Sequence, residues 1–189
     1  MQKEVVIGVS GALGSFSEEA AKYYCSKHNI GEYKLEYLIS AENVLRNLTE
    51  GKIDQGVFPI ENSNGGIVYE AVYAMAKYIF QIENMFEIDI KHCLLVRTGA
   101  KTSDIKKIVS HQQALKQCRM YLKRRWPEVE LEEYADTAQA AKDLGEGKLP
   151  AEVAVIAPRR CAEIYGLEIL EEGIQDLKFN FTTFIVAKK

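Results

Sequence analysis

The chain contains no apolar run approaching the about 18 residues that a membrane-spanning helix requires. Its start, Met1-Gln2-Lys3-Glu4 followed by the short run Val5-Val6-Ile7-Gly8-Val9, is too short and too acidic for a signal peptide. A membrane is therefore not an expected partner, and the cytoplasm is the expected location. Proline is scarce, at 4 of 189 residues, and no Pro/Ser-rich linker, low-complexity tract or internal repeat interrupts the chain. The cysteines Cys25, Cys93, Cys118 and Cys161 stand singly, without C-x-x-C or a neighbouring His, which argues against a zinc site or a disulfide framework and for a reducing compartment. Basic excess is also missing: 24 Lys+Arg against 27 Asp+Glu leave a net charge of −3, so a nucleic-acid platform is not expected.

What remains is an ordinary globular composition, 47% hydrophobic, long enough for one domain or two small lobes. Short β-branched runs alternate with helical periodicity. Glu4–Val9, Tyr33–Leu38 and Gly56–Ile60 read as strands, and Ser15-x-x-Glu18 reads as a capping box opening a helix to His28. Ser40 caps a helix carrying Val44, Leu45 and Leu48 that Gly51 ends, and a further helix is predicted over 67–78. In the second half, 86–97 reads as one long strand, with further strands at 105–110, 129–134, 152–157 and 182–187. Helices are predicted over 112–126, 137–144 and 159–165, the last closed by Gly166. Such alternation implies an α/β fold with a mainly parallel sheet.

Charge is local. Between Lys101 and Trp126 there are eight Lys/Arg and one acid, whereas 127–150 holds seven acids and two Lys. A solvated helix face beside an acidic strand, at a subunit contact or not, explains this better than a nucleic-acid patch at Lys123-Arg124-Arg125-Trp126.

In parallel α/β proteins ligands collect where strands end and helices begin. Three such loops stand out. Gly11-Ala12-Leu13-Gly14-Ser15-Phe16-Ser17 offers glycines, hydroxyls and a helix N-terminus, although Val9 breaks any G-x-G-x-x-G fingerprint and no P-loop exists. It can hold a small anion, or Ser15 can simply cap the helix. Pro59-Ile60-Glu61-Asn62-Ser63-Asn64-Gly65-Gly66 gathers hydrogen-bonding groups at one strand end, as a site or as a polar turn. Ser110-His111-Gln112-Gln113 places a histidine at a third strand end, as an acid/base or as a loop-pinning cap. Cys118, inside a predicted helix, reads as core rather than nucleophile.

These loops together resemble the prephenate dehydratase family. Gly11-x-x-Gly14-Ser15-Phe16-Ser17 is similar to its G-P-x-G-[ST]-[FY]-S opening, with Ala12 in place of Pro. Pro59-Ile60-Glu61-Asn62-Ser63-x-x-Gly66 resembles P-I-E-N-S-x-x-G, and Ser110-His111-x-Gln113-Ala114-Leu115-x-Gln117-Cys118 resembles S-H-x-Q-A-L-x-Q-C. Thr137-Ala138-x-Ala140-Ala141 and Ala162-Glu163-x-Tyr165-Gly166-Leu167 also fit, so the resemblance spans about residues 5–187.

The resemblance implies a two-lobed, periplasmic-binding-protein-like (type II) α/β fold with the ligand in the cleft between lobes. Lobe 1 would hold 1–80 and 174–189, and lobe 2 would hold 81–173. The implied reaction converts prephenate to phenylpyruvate, water and carbon dioxide in phenylalanine biosynthesis. Aromatisation drives it, so no cofactor and no metal are expected; the enzyme protonates the departing hydroxyl and orients two carboxylates. In relatives the Thr of N-x-T-R-F is the favoured proton donor, and the matching run here is Asn180-Phe181-Thr182-Thr183-Phe184. The resemblance thus implies Thr182 as catalytic acid. It implies substrate-binding positions at Ser15, Phe16, Glu61, Asn62, Ser63, Gly66, His111, Gln113, Thr137, Asn180, Thr183 and Phe184.

Two departures qualify it. Thr183 stands where the family has Arg, replacing a permanent charge and planar fork by one hydroxyl. Lost substrate contact there is worth about 1.5–3 kcal/mol unless a cation such as Lys178 compensates. Non-aromatising decarboxylation of prephenate, or non-catalytic binding of a small dicarboxylate, are the alternatives this opens, and acceptance of arogenate stays open. Second, relatives commonly continue into a phenylalanine-binding ACT domain, whereas this chain stops at Lys189, so in-chain feedback is not expected. A homodimer or homotetramer is the expected assembly, with a small molecule as the substrate.

Overall fold

A computed structural model describes residues 4–189; Met1–Lys3, read above for a leader, lie outside the described residues. The chain forms two compact units. Among the described residues, the first comprises 4–12, 16–89 and 181–189, and the second 13–15 and 90–180.

In the first unit, β1 (Val5–Val9) lies between β2 (Tyr33–Tyr37) and β3 (Gln55–Asn62), parallel to both. The last described strand, β11 (Phe181–Lys188), inserts antiparallel between β3 and β5 (Gln81–Asp89). A two-residue strand, β4 (Gly66–Ile67), folds back onto β3. Helices α1 (Phe16–Lys27), α2 (Ala41–Thr49) and α3 (Tyr69–Met75) complete the unit. Ser40 caps α2 as expected, its hydroxyl accepting from the Asn43 N–H at 3.1 Å. The Val44, Leu45 and Leu48 face of α2 packs with Phe58 and Ile185 in the core. Glu18 is fully buried and pairs with Lys22 one turn further along α1.

The second unit carries a sheet in the order β10-β6-β9-β7-β8: β6 (His92–Arg97), β7 (Lys107–Ser110), β8 (Glu130–Glu133), β9 (Val153–Pro158) and β10 (Leu167–Glu172). β7 runs parallel to β8 and β9, while β6 runs antiparallel to β9 and β10. Its helices are α4 (Gln112–Gln117), α5 (Arg119–Arg125), α6 (Thr137–Gly145) and α7 (Arg159–Tyr165). Leu94, Ile108, Leu122, Ile156 and Cys118 share its core. All four cysteines are free and buried, and burial pushes the Cys118 thiol pKa up.

Several expectations are corrected. The sheets are mixed rather than mainly parallel, because β11, β6 and β10 all pair antiparallel. The single strand expected over 86–97 is two strands in different sheets: β5 pairs with β11, and β6 pairs with β9 and β10. The chain therefore leaves the first unit at Asp89 rather than near Phe80. It returns at Phe181 rather than near Ile174, whose side chain belongs to the second unit's core. The segment 13–15 also groups with the second unit, where the Tyr165 hydroxyl donates to the Leu13 carbonyl at 2.7 Å. The helix expected over 67–78 is shortened by β4. The helix expected over 112–126 breaks at Cys118, because the Asp176 carboxylate takes the N–H groups of Met120 (2.7 Å) and Tyr121 (2.8 Å). As read from the charges, Arg119, Lys123, Arg124 and Arg125 are exposed, and the acidic strand β8 gives Lys107 its partners Glu130 and Glu132.

Candidate functional site

Because β1, β2 and β3 are parallel, their carboxyl ends share one edge of the first sheet. β11 runs the other way, so its first residues start at that edge, and Thr182 pairs in register with Asn62. The Asn62 amide is fixed from both ends. Its Oδ1 accepts from the N–H groups of Asn64 (2.9 Å) and Gly65 (2.7 Å) in the following turn. Its Nδ2 then faces β11 and donates to the Phe181 carbonyl (3.1 Å) and to Thr182 Oγ1 (2.9 Å). With two backbone donors on the oxygen, the amide cannot be turned over without losing both contacts. Thr182 Oγ1 is an acceptor in this bond, so its own O–H points away from the amide. Asn62 and Thr182 are 8% and 9% exposed, and the hydrogen bond between them is buried, which sharpens it. The proton of this hydroxyl is thereby left for an acceptor other than the amide.

Ser63 locks the same corner: its N–H donates to the Phe181 carbonyl at 2.8 Å and its hydroxyl accepts from the Phe181 N–H at 3.0 Å. Gly66 has φ +75°, a conformation costly for other residues, which lets β4 turn back beside Asn62. On the same edge, Ser17 donates to the Ser10 carbonyl at 3.2 Å.

Side chains alternate along a strand, so the Glu61–Thr183 register pair faces away from Asn62 and Thr182. Thr183 Oγ1 instead lies 3.4 Å from Glu87 Oε1 on β5. The position where the family carries Arg is thus flanked by two exposed carboxylates, Glu61 and Glu87, and Lys178 is exposed in the loop before Asn180. Phe184 is a core residue, 1% exposed and stacked on Phe86 at 6.2 Å between centroids, so it supports β11 from beneath.

In the second unit the carboxyl ends of β7 and β8 share an edge. His111 caps α4, its Nδ1 accepting from the Gln113 N–H at 3.2 Å, which is the loop-pinning role. Thr137 opens α6 behind the cap Asp136, whose side chain accepts from the Gln139 N–H at 2.8 Å. Burial raises the Asp136 pKa, an effect partly offset by its backbone hydrogen bonds and by His111. The structure therefore brings His111, Gln113 and Thr137 to one edge. Ser110 is fully buried and donates to the Ile156 carbonyl at 2.7 Å. Ser15 is buried, and Phe16 is half-buried at the start of α1. Gly14, at φ +89°, has Cys161 Sγ 2.9 Å from where a Cβ would stand, so the turn admits only glycine.

Asn180 is fully buried. Its Nδ2 donates to Gln117 Oε1 at 2.8 Å, and the same oxygen lies 2.7 Å from His92 Nε2. Burial lowers the His92 pKa to about 4, against the opposing pull of the Gln117 hydrogen bond. Gln117 lies inside the Ser110–Cys118 motif but outside the substrate-binding positions that the resemblance implies. The sequence signal for His92 is a lone histidine on the alternating face of Ile88 and Ile90, just before the apolar run Cys93–Val96. Among the described residues no group of three or more His, Cys, Asp or Glu side chains could hold a metal ion.

A family model for prephenate dehydratase matches residues 7–189. Arogenate dehydratase 5, chloroplastic, of Arabidopsis thaliana is 32% identical over 191 residues, covering 97% of this chain and 42% of the relative. The structure of prephenate dehydratase from Arthrobacter aurescens in complex with L-Phe superposes with TM-score 0.87 at 28% identity, covering 98% of this chain and 60% of that one. A periplasmic substrate-binding protein of a Coxiella burnetii ABC transporter shares the fold alone, with TM-score 0.51 at 13% identity over 96% of this chain and 84% of that one. The chain spans about half the length of the curated relatives it matches.

Proposed function

The chain belongs to the prephenate dehydratase family, and from that premise we propose that it aromatises prephenate to phenylpyruvate in phenylalanine biosynthesis. The observation that carries this reading is the Asn62–Thr182 pair, in which a doubly anchored amide orients the one hydroxyl that the family pattern marks as proton donor.

In the proposed step, the bond between the ring and its carboxylate breaks and its electron pair enters the ring. The ring C–O bond breaks, carbon dioxide leaves, and the Thr182 proton completes the departing water. Water from solvent then reprotonates Thr182. An aliphatic hydroxyl is a weak acid, so orientation and the aromatisation energy must supply what acidity does not. His111, Gln113 and Thr137 are the proposed carboxylate-holding positions of the second unit, together with Ser15. A cytoplasmic location and an assembly of two or four copies complete the reading.

The test is incubation of the purified chain with prephenate and, separately, with arogenate, with products resolved by mass spectrometry. Phenylpyruvate from prephenate, lost in Thr182→Ala, is the expected outcome. Phenylalanine from arogenate, with prephenate inert, would move the substrate to the amino form that many curated relatives are named for. Carbon dioxide with a non-aromatic product would replace the proposal with decarboxylation, and no turnover with either compound would overturn it.

A further inference from the structure

The chain crosses between its units at Asp89–Ile90 and at Asn180–Phe181. The second crossing stands two residues before Thr182. The strand ladder continues through it: Phe181 pairs with Asp89, and the Ile90 N–H donates to the Asn180 carbonyl at 2.6 Å. The side chain of Asn180 is held by Gln117, and Gln117 is held by His92.

Resting on the reading that Thr182 carries a dehydratase reaction, we infer that His92 is a positioning residue for it. Its Nε2–H and the Asn180 Nδ2–H converge on Gln117 Oε1, and this three-residue relay fixes the backbone from which β11 and Thr182 start.

The chemistry of each member supports the relay. An amide oxygen accepts only, so with Gln117 Oε1 between them, both neighbours must donate. His92 therefore carries its proton on Nε2. The residue is 3% exposed, and burial keeps its ring neutral near pH 7, so the contact there is a neutral hydrogen bond. The backbone of His92 is itself tied down: its N–H donates to Gln175 Oε1 and its carbonyl accepts from the Ile174 N–H, both at 3.1 Å. A rigid histidine thus sets one amide, which sets a second at the crossing. A side chain that only filled space would need none of these donors, and an apolar residue would serve as well.

His92→Leu keeps comparable bulk and removes the donor, whereas His92→Gln places an amide nitrogen near the lost Nε2. Assayed well below the melting temperature of each variant, His92→Leu should lower kcat about 10- to 100-fold with KM little changed, the cost of a small misplacement near the chemistry. His92→Gln should recover most of the loss. Equal losses in both variants that follow the folded fraction would overturn the inference, as would an unchanged kcat in His92→Leu. Nuclear magnetic resonance gives a readout independent of turnover: slow exchange of the Asn180 side-chain NH2 in the native chain, lost in His92→Leu. If the native chain turns over neither prephenate nor arogenate, the functional reading fails on its own. The relay then stands on the exchange data, and persistent protection of Asn180 in His92→Leu overturns it.

Discussion

Two amide clusters flank the same short stretch of chain. At one, Asn62 holds Thr182; at the other, Gln117 holds Asn180. Both use a primary amide whose oxygen takes two donors. They differ in what the amide does next. Asn62 spends its nitrogen on a buried hydroxyl that keeps its own proton for another acceptor. Around Gln117 both donors end on the oxygen, and Asn180 is sealed. The first arrangement suits a reacting group and the second suits a group that must not move. On the proposed reading, the two-residue step from Asn180 to Thr182 separates positioning from chemistry.

This contrast can be broken most sharply at Thr182. Thr182→Ala should lower kcat by about 10²–10⁴-fold, the range for loss of a general acid, with the melting temperature near that of the native chain. A retained rate would move the proton donor elsewhere. Next comes Asn62→Asp, which preserves the acceptors for Asn64 and Gly65 but turns the donor toward Thr182 into an acceptor. The Thr182 proton would then be drawn to the new carboxylate, and kcat should fall by about 10²-fold. Steady-state kinetics across the two variants tests whether orientation, rather than the hydroxyl alone, matters.

The sealed cluster is tested through stability. His92 titrates at about 4 in the folded chain, against about 6.5 when unfolded. Above about pH 6.5 both states are neutral and the residue contributes no slope. As pH falls from there, the unfolded chain takes up a proton that the folded chain refuses, so stability is lost, by about 3 kcal/mol once pH reaches about 4. Urea midpoints of the native chain and His92→Gln across this window should diverge in slope, and parallel curves would show that the ring is not sealed. The smallest effect is expected at Thr183→Arg. Its register neighbours are Glu61 and Glu87 on the face away from Thr182, so the new guanidinium should pair with them. Such an exposed pair adds about 0–1 kcal/mol of stability, and turnover should shift only a few-fold. A gain above about 10-fold, the size of a charge-assisted substrate contact, would show that this face also reaches the substrate.

Local signals carried much of the fold. The Ser40 cap, the apolar face of α2 and the Gly166 terminus lie where sequence periodicity and capping place them. Non-local pairing was not legible. The strand-like alternation through Ile88 and Ile90 into Cys93–Val96 reads as continuous, since nothing in it marks Ile90 as the residue whose N–H goes to Asn180. The break at Cys118 depends on Asp176, more than fifty residues away, so helical periodicity alone runs through it. β10 carries little strand signal, because Leu167-Glu168-Ile169-Leu170-Glu171-Glu172 holds three carboxylates on a strand at the sheet edge. At the candidate site, composition and spacing supplied loops and hydroxyls. The meeting of Asn62 with Thr182, 120 positions apart, follows from β11 running against β3, which no local pattern encodes. Family resemblance named both residues without giving the bond between them. Conversely, Thr183 departs from the family pattern, and register places it on the face opposite Thr182.

The four buried thiols give the molecule an internal clock. Cys25 and Cys93 belong to different units, and burial raises the pKa of both, Cys25 to about 11. A thiol reagent at neutral pH should therefore meet almost no thiolate until a unit opens. The labelling of each cysteine then times the opening of its own unit, so a single mass spectrum taken during labelling would tell whether the two units come apart together or one before the other.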